Sequence, residues 1–166
     1  VLTVPISKAS PQGDRGLVDV LETMGCRVEW TEEGVRVSGP ASLKPVDIDM
    51  NEMPDMVPTL AGVAAFAEGE SRIRNVAHLR VKESDRLHVV ALELRKFQVP
   101  VEELEDGLVI RGGRVRSPGI PVQAHNDHRI AMTFAVMGLR APGVIIEGAE
   151  SVAKSFPNFW EVFDSL

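Results

Sequence analysis

The sequence predicts an α/β fold made of two copies of a βαβαββ-like unit, and two observations carry that prediction. The first is internal repetition. Asp14-Arg15 recurs as Asp85-Arg86 after 71 residues, Asp55 recurs as Asp127 after 72, and the turn Glu33-Gly34 recurs as Asp106-Gly107 at nearly the same offset. The second is that two helix-length runs, 56–67 and 130–140, are apolar on nearly every side. Such helices belong in an interior, since a helix lying on a sheet surface keeps a polar face.

Taken in order, residues 1–4 read as a strand and end at a Pro/Ser/Gly turn. Asp14 is placed to cap a helix over 15–24, whose stripe is Leu17, Val20, Leu21 and Met24, with Gly25 just past its end. Residues 26–30 and 35–38 alternate as a hairpin, with Val28 and Trp30 on one face. A short strand over 46–49 and a polar turn over 51–55 precede the first apolar helix, where Pro58 fits the opening turn and Gly69 follows the stop. A strand over 71–76, a charged stretch, a helix to about 97 and a second hairpin over 99–111 come next. Residues 120–124 and 144–147 are strands flanking the second apolar helix. Ser155 is placed to cap a final aromatic-rich helix over 157–163.

Composition narrows the function classes. A chain of 166 residues with 44% hydrophobic content forms one domain, or part of one, with a real core. No apolar run approaches the ~18 residues of a spanning helix and no signal peptide opens the chain, so a membrane is not expected. A formal charge of −6 argues against nucleic acid, which favours a basic face. The single cysteine, Cys26, forms no internal disulfide and reads as a small buried apolar residue, consistent with a reducing, cytoplasmic setting. Because the chain opens on a strand at Val1 without an initiator methionine, it is expected to be the C-terminal portion of something longer.

The chemistry gathers at Arg80-Val81-Lys82-Glu83-Ser84-Asp85-Arg86, seven residues with five charges. Ser84 or Asp85 is a good N-cap for the helix whose stripe is Leu87, Val90, Ala91, Leu94 and Phe97. Lys82 and Arg86 therefore fall where unpaired N–H groups and the positive end of the helix dipole already gather. Cations there are expected to weaken the helix and to make an anion site. The plainer reading is a solvated turn with a Glu83/Arg86 pair worth a few tenths of a kcal/mol.

Four segments in order decide between these readings: that run, Met50-Asn51-Glu52-Met53-Pro54-Asp55, Asn126-Asp127-His128-Arg129-Ile130-Ala131-Met132, and Ala153-Lys154-Ser155-Phe156-Pro157. Together they resemble the signature of the 5-enolpyruvylshikimate-3-phosphate synthase family across nearly the whole chain. The resemblance implies six βαβαββ units in two lobes, with helices packed inside and sheets outside. This chain would be part of the C-terminal lobe, two units over about 1–75 and 76–166, with the N-terminal lobe missing as a partner. It also implies transfer of the enolpyruvyl group of phosphoenolpyruvate to the 5-hydroxyl of shikimate 3-phosphate with release of phosphate, and no metal or organic cofactor.

By motif position, the resemblance makes Arg86, Arg129 and Lys154 phosphoenolpyruvate-binding residues and places Lys82 near the hydroxyls of shikimate 3-phosphate. Asp55 corresponds to a proton acceptor that also contacts shikimate 3-phosphate, and Glu83 to a proton donor. Asp127 is read as a cap alone. His128 either donates to phosphate or packs, and His78 stands where many relatives have a substrate-contacting asparagine. Two other readings stay open: the related transferase acting on UDP-N-acetylglucosamine, and a non-catalytic anion-binding fragment of the same fold.

Overall fold

The computed structural model describes residues 2–165. Strand β1 (Leu2–Val4) leads to a 3-10 turn (Gly13–Arg15) and helix α1 (Gly16–Thr23). Asp14 does not cap this helix. The 3-10 turn extends the helix upstream and draws Asp14 inside it, and neither segment carries a side-chain cap. Gly25 closes the helix at φ 99°, a left-handed conformation that glycine adopts without a Cβ clash. Strands β2 (Arg27–Thr31) and β3 (Gly34–Ser38) form the expected hairpin, with Val28 opposite Val37 and Trp30 opposite Val35; β1 pairs antiparallel with β3 on its other side.

The next stretch holds β4 (Asp47–Asp49), a 3-10 turn (Pro54–Met56), α2 (Val57–Ala64) and β5 (Glu70–Arg74). A further 3-10 helix (Ala77–Val81), α3 (Arg86–Lys96), β6 (Val101–Leu104) and β7 (Gly107–Arg111) follow. All four strands join one sheet in the order β4-β5-β7-β6, with β4 and β5 parallel and the other pairs antiparallel. Read from β4 to β7, this is one complete βαβαββ unit.

Half-units flank it. The order β1-β3-β2 matches β5-β7-β6, and β8 (Val122–Gln123) pairs parallel with β9 (Ile146–Glu147) as β4 does with β5. The central sheet therefore straddles residue 75, because an offset repeat reveals a period but not where each unit begins. Between β8 and β9 runs α4 (His128–Gly138). After β9 come a 3-10 helix (Ala149–Lys154) and α5 (Phe159–Asp164). Ser155 ends the 3-10 helix instead of capping α5, since residues 149–154 already coil and α5 starts after Asn158 without a side-chain cap.

Helices α2, α3 and α4 pack against one another in one apolar cluster, and α2 and α3 lie against the inner face of the four-stranded sheet. Ser71 and Ile73 of β5 face inward while Glu70 and Arg74 are exposed, so the sheet forms an outer layer. The apolar run read from sequence has its reason here: Val57, Leu60, Ala61, Gly62 and Ala64 are buried over most of α2, and the partly buried Thr59 and Val63 face a groove. Small residues bring α2 and α4 close. A Cβ on Gly62 would lie 3.0 Å from Cγ2 of Thr133 and 3.3 Å from Cγ of Met137. Beside this crossing lies a groove of about 600 Å³, lined by Leu21, Val63, Phe66, Met132 and Val136 and bounded at one side by Arg129. Among the described residues no helix is long and apolar enough to cross a membrane. Gly62→Val should lower stability by about 1–3 kcal/mol through overpacking at the crossing, read from the midpoint of denaturant unfolding.

Candidate active site

Arg86, the first residue of α3, has only 1% of its side chain exposed and holds three carboxylates. Its Nε donates to Oδ2 of Asp127 at 2.8 Å, Nη1 to Oδ1 of Asp55 at 2.9 Å, and Nη2 to Oε2 of Glu83 at 2.8 Å. Asp85 supplies the cap of α3, accepting from the His88 N–H at 3.0 Å, as one of the two sequence readings had it. The expectation that cations here weaken the helix start while making an anion site leaves out the partners that Arg86 gains in the fold: a buried guanidinium matched by three acids is held in place by them.

Asp55 lies in the 3-10 turn before α2 and shares its carboxylate between two arginines. Its Oδ2 accepts from Nη2 of Arg129 at 2.8 Å, and its carbonyl from Nη1 of Arg129 at 3.3 Å. Glu83 is exposed apart from its bond to Arg86. Lys154, at the end of the 3-10 helix, donates to the Asn126 carbonyl at 2.9 Å, one residue from Asp127. Lys82 and His78 are exposed, and among the described residues neither has a hydrogen bond or ion pair. Thus Asp55, Glu83, Arg86 and Arg129 form one bonded cluster with Asp127, Lys154 borders it through Asn126, and Lys82 adjoins it only along the chain.

Asp127 does more than cap. It accepts from the Arg129 N–H at 3.0 Å, as a cap should, but it is fully buried and also accepts from Arg86 and from Oγ of Ser84 at 3.1 Å. Burial pushes its carboxyl up, yet Arg86, the Arg129 N–H and Ser84 outweigh burial and hold it below the ordinary value. For Arg86 burial likewise pulls down, and Asp127, Glu83 and Asp55 more than restore the charged form, leaving its pKa raised. His128 is largely buried, and its Nδ1 has no hydrogen-bond partner among the described residues. Burial depresses its pKa, with Asp127 opposing and Arg129 adding to the shift.

Glu93 was missed by the sequence reading. It is a fully buried acid in α3 that meets Lys96 at 2.7 Å, the His125 ring at 3.1 Å and the Gln123 N–H at 3.1 Å. A signal was present: Glu93 lies seven residues after Arg86, two helical turns along the same face, amid apolar positions.

A family model described as EPSP synthase (3-phosphoshikimate 1-carboxyvinyltransferase) matches residues 2–163. The chain belongs to the EPSP synthase family. Among relatives named 3-phosphoshikimate 1-carboxyvinyltransferase, that of Syntrophobacter fumaroxidans is 64% identical over the whole chain and that of Methanocaldococcus jannaschii is 43% identical over 95% of it. The chain spans 39% and 37% of their respective lengths. An EPSP synthase structure from Acinetobacter baumannii superimposes with a TM-score of 0.81 at 32% identity, covering 95% of this chain and 39% of that one. The enolpyruvyl transferase NikO from Streptomyces tendae, at 23% identity, shares the fold with a TM-score of 0.81 over 99% of this chain and 37% of its own.

Two outcomes follow from the cluster. In the complete polypeptide, Arg86→Ala strands Asp127 as an unpaired buried charge and should cost about 3–5 kcal/mol, measured by chemical denaturation. His128 sets an acid limit. Its folded pKa lies below its ordinary 6.5, so the unfolded chain takes up the proton more readily; its contribution is intact above that value and is lost as pH falls from there through the folded pKa. Asp127, also depressed, gives stability that is present above its ordinary 3.8 and lost at lower pH, in a separate window. Melting should therefore occur at lower temperature at about pH 5.5 than at about pH 7.5, and His128→Gln should narrow that difference.

Proposed function

We propose that this chain carries part of the active site of an enzyme that transfers the enolpyruvyl group of phosphoenolpyruvate to the 5-hydroxyl of shikimate 3-phosphate, releasing phosphate. The observation that carries the reading is the sharing of one carboxylate, Asp55, by two arginines that open two inward helices, in a chain of the EPSP synthase family. The chain forms part of the C-terminal lobe and comprises the equivalent of two repeat units, one complete from β4 to β7 and one divided between the flanking halves. The N-terminal lobe supplies the opposite wall of the cleft, and the enzyme works in the cytoplasm.

On this reading Arg86, Arg129 and Lys154 grip the phosphate and carboxylate of phosphoenolpyruvate, where planar guanidinium forks suit oxyanions. In the addition step Glu83 protonates the methylene carbon while the 5-hydroxyl oxygen bonds to the adjacent carbon and yields its proton to Asp55. In the elimination step the new methyl group returns its proton to Glu83, and the C–H electrons form the carbon–carbon double bond as the carbon–oxygen bond to phosphate breaks. The electron pair of that bond leaves with phosphate, and Asp55 gives up its proton to the departing phosphate. Lys82 faces the hydroxyls of shikimate 3-phosphate. His128, kept neutral by burial, offers a hydrogen bond to phosphate, and His78 lies on the acceptor side.

Because Arg86 also holds the fold, the binding test falls on the other two cations. In the complete enzyme, Arg129→Ala and Lys154→Ala should each weaken phosphoenolpyruvate binding by about 1.5–3 kcal/mol. Asp55→Asn and Glu83→Gln should lower turnover roughly 100- to 10,000-fold while both substrates still bind. Glu102→Gln, on an exposed residue of β6 whose nearest charge partner is Arg111 at 3.6 Å, should change neither. Calorimetry beside steady-state kinetics reads both quantities, and near-normal turnover in Asp55→Asn and Glu83→Gln would overturn the proton-transfer roles.

A further inference from the structure

We infer that Glu93 is a positioning residue that, through His125, sets the turn from which the Asn126 carbonyl and the Asp127 carboxylate reach the anion-binding cations. Glu93 and Lys96 together fasten the approach to α4. Lys96 donates to the Pro121 carbonyl at 2.9 Å, while Glu93 accepts from the Gln123 N–H and meets Nε2 of His125. A carboxylate only accepts, so Nε2 is the ring nitrogen that carries the proton.

Immediately beyond this clamp the backbone does something unusual. His125 and Asn126 take successive left-handed conformations, φ 51° and 57°, in a chain where such a conformation is uncommon for residues with a Cβ. The turn is closed by the Asp127 N–H donating to the Ala124 carbonyl at 2.9 Å. Strain of this kind persists only where the surroundings over-determine it. Here the ring of the first left-handed residue is tied to a buried acid, and the strand before it is tied through its backbone.

What the turn presents is the site itself. The Asn126 carbonyl receives Lys154, and Asp127 receives Arg86 and the Arg129 N–H. If the turn relaxes, Lys154 loses its anchor and Asp127 shifts beneath both arginines. The inference rests on the phosphoenolpyruvate-binding roles proposed above for Lys154 and Arg129; Glu93 itself touches no substrate.

The test uses the complete enzyme and steady-state kinetics with each substrate varied. Glu93→Gln and His125→Asn should each raise the KM for phosphoenolpyruvate about 10- to 100-fold, with the KM for shikimate 3-phosphate unchanged. His125→Asn keeps a residue that tolerates the left-handed backbone but is too short to reach Glu93, so it separates loss of the clamp from loss of the turn. It also alters a partly exposed side chain, and it carries the test alone if Glu93→Gln does not fold. A lowered melting temperature with an unchanged KM for phosphoenolpyruvate would make Glu93 merely structural and overturn the inference. Lys154→Ala run alongside separates the two levels. If it leaves phosphoenolpyruvate binding unaltered, the site assignment and the inference both fall; if it weakens binding while Glu93→Gln and His125→Asn behave as wild type, the positioning role alone falls.

Discussion

One buried guanidinium joins the starts of three inward helices. Arg86 opens α3, Asp55 precedes α2 by a single 3-10 turn, and Asp127 caps α4; all three meet within 2.9 Å hydrogen bonds. Each helix start alone is a poor place for an arginine, because the local dipole is already positive. Placing carboxylates from the other two helices around it reverses that balance. An apolar cluster of the same volume would serve stability as well or better. The guanidinium adds direction: its fixed fork dictates where Asp55, Glu83 and Asp127 must stand.

The same arrangement explains why the cluster is both cohesive and open to exchange. Asp127 is enclosed, with four donors among its contacts, and belongs to the frame. Asp55 and Glu83 are the partly exposed members, with 36% and 40% of their side chains accessible beside an Arg86 that is almost wholly covered. On the reading proposed above, an anion arriving from solvent meets these two carboxylates first and competes with them for the guanidinium edges they occupy. On the proposed reading, the acids displaced from the arginines are the ones that handle protons. Binding the anion and freeing the acid–base pair become one event.

Local chemistry was legible in the chain. The hairpins, the Gly25 stop, the Asp85 cap and the burial of α2 depend on residues a few positions apart, and each was found where alternation, spacing or capping placed it. The phase of the repeat was not legible, because β4 and β5 pair in parallel across α2 and no local pattern distinguishes the first strand of a unit from the last. Asp127 shows the same limit within the site. Its cap to Arg129 spans two residues and could be read directly; its bond to Arg86 spans 41 and depends on two helices being brought together. The motif resemblance picked out Asp55, Glu83, Arg86 and Arg129, which the fold joins in one bonded cluster, without saying which of them bear on one another. It was also silent on Glu93, whose partners are a backbone N–H, a lysine and a histidine outside the four segments.

What brings those distant residues together is the smallness of α2. Ala61, Gly62, Ala64 and Ala65 leave little bulk there, so α4 can approach until Thr133 and Met137 lie 3.0 and 3.3 Å from where a Cβ on Gly62 would stand. The approach fixes the separation of the two helix starts, and it is across that separation that Arg129 of α4 reaches Asp55 before α2. A bulkier helix would bury as much apolar area yet spread its ends, and the two arginines could no longer meet on one carboxylate. The apolar run that first suggested an interior helix is therefore also a condition for the charged cluster. Residues that carry no charge set the distance at which the charges act.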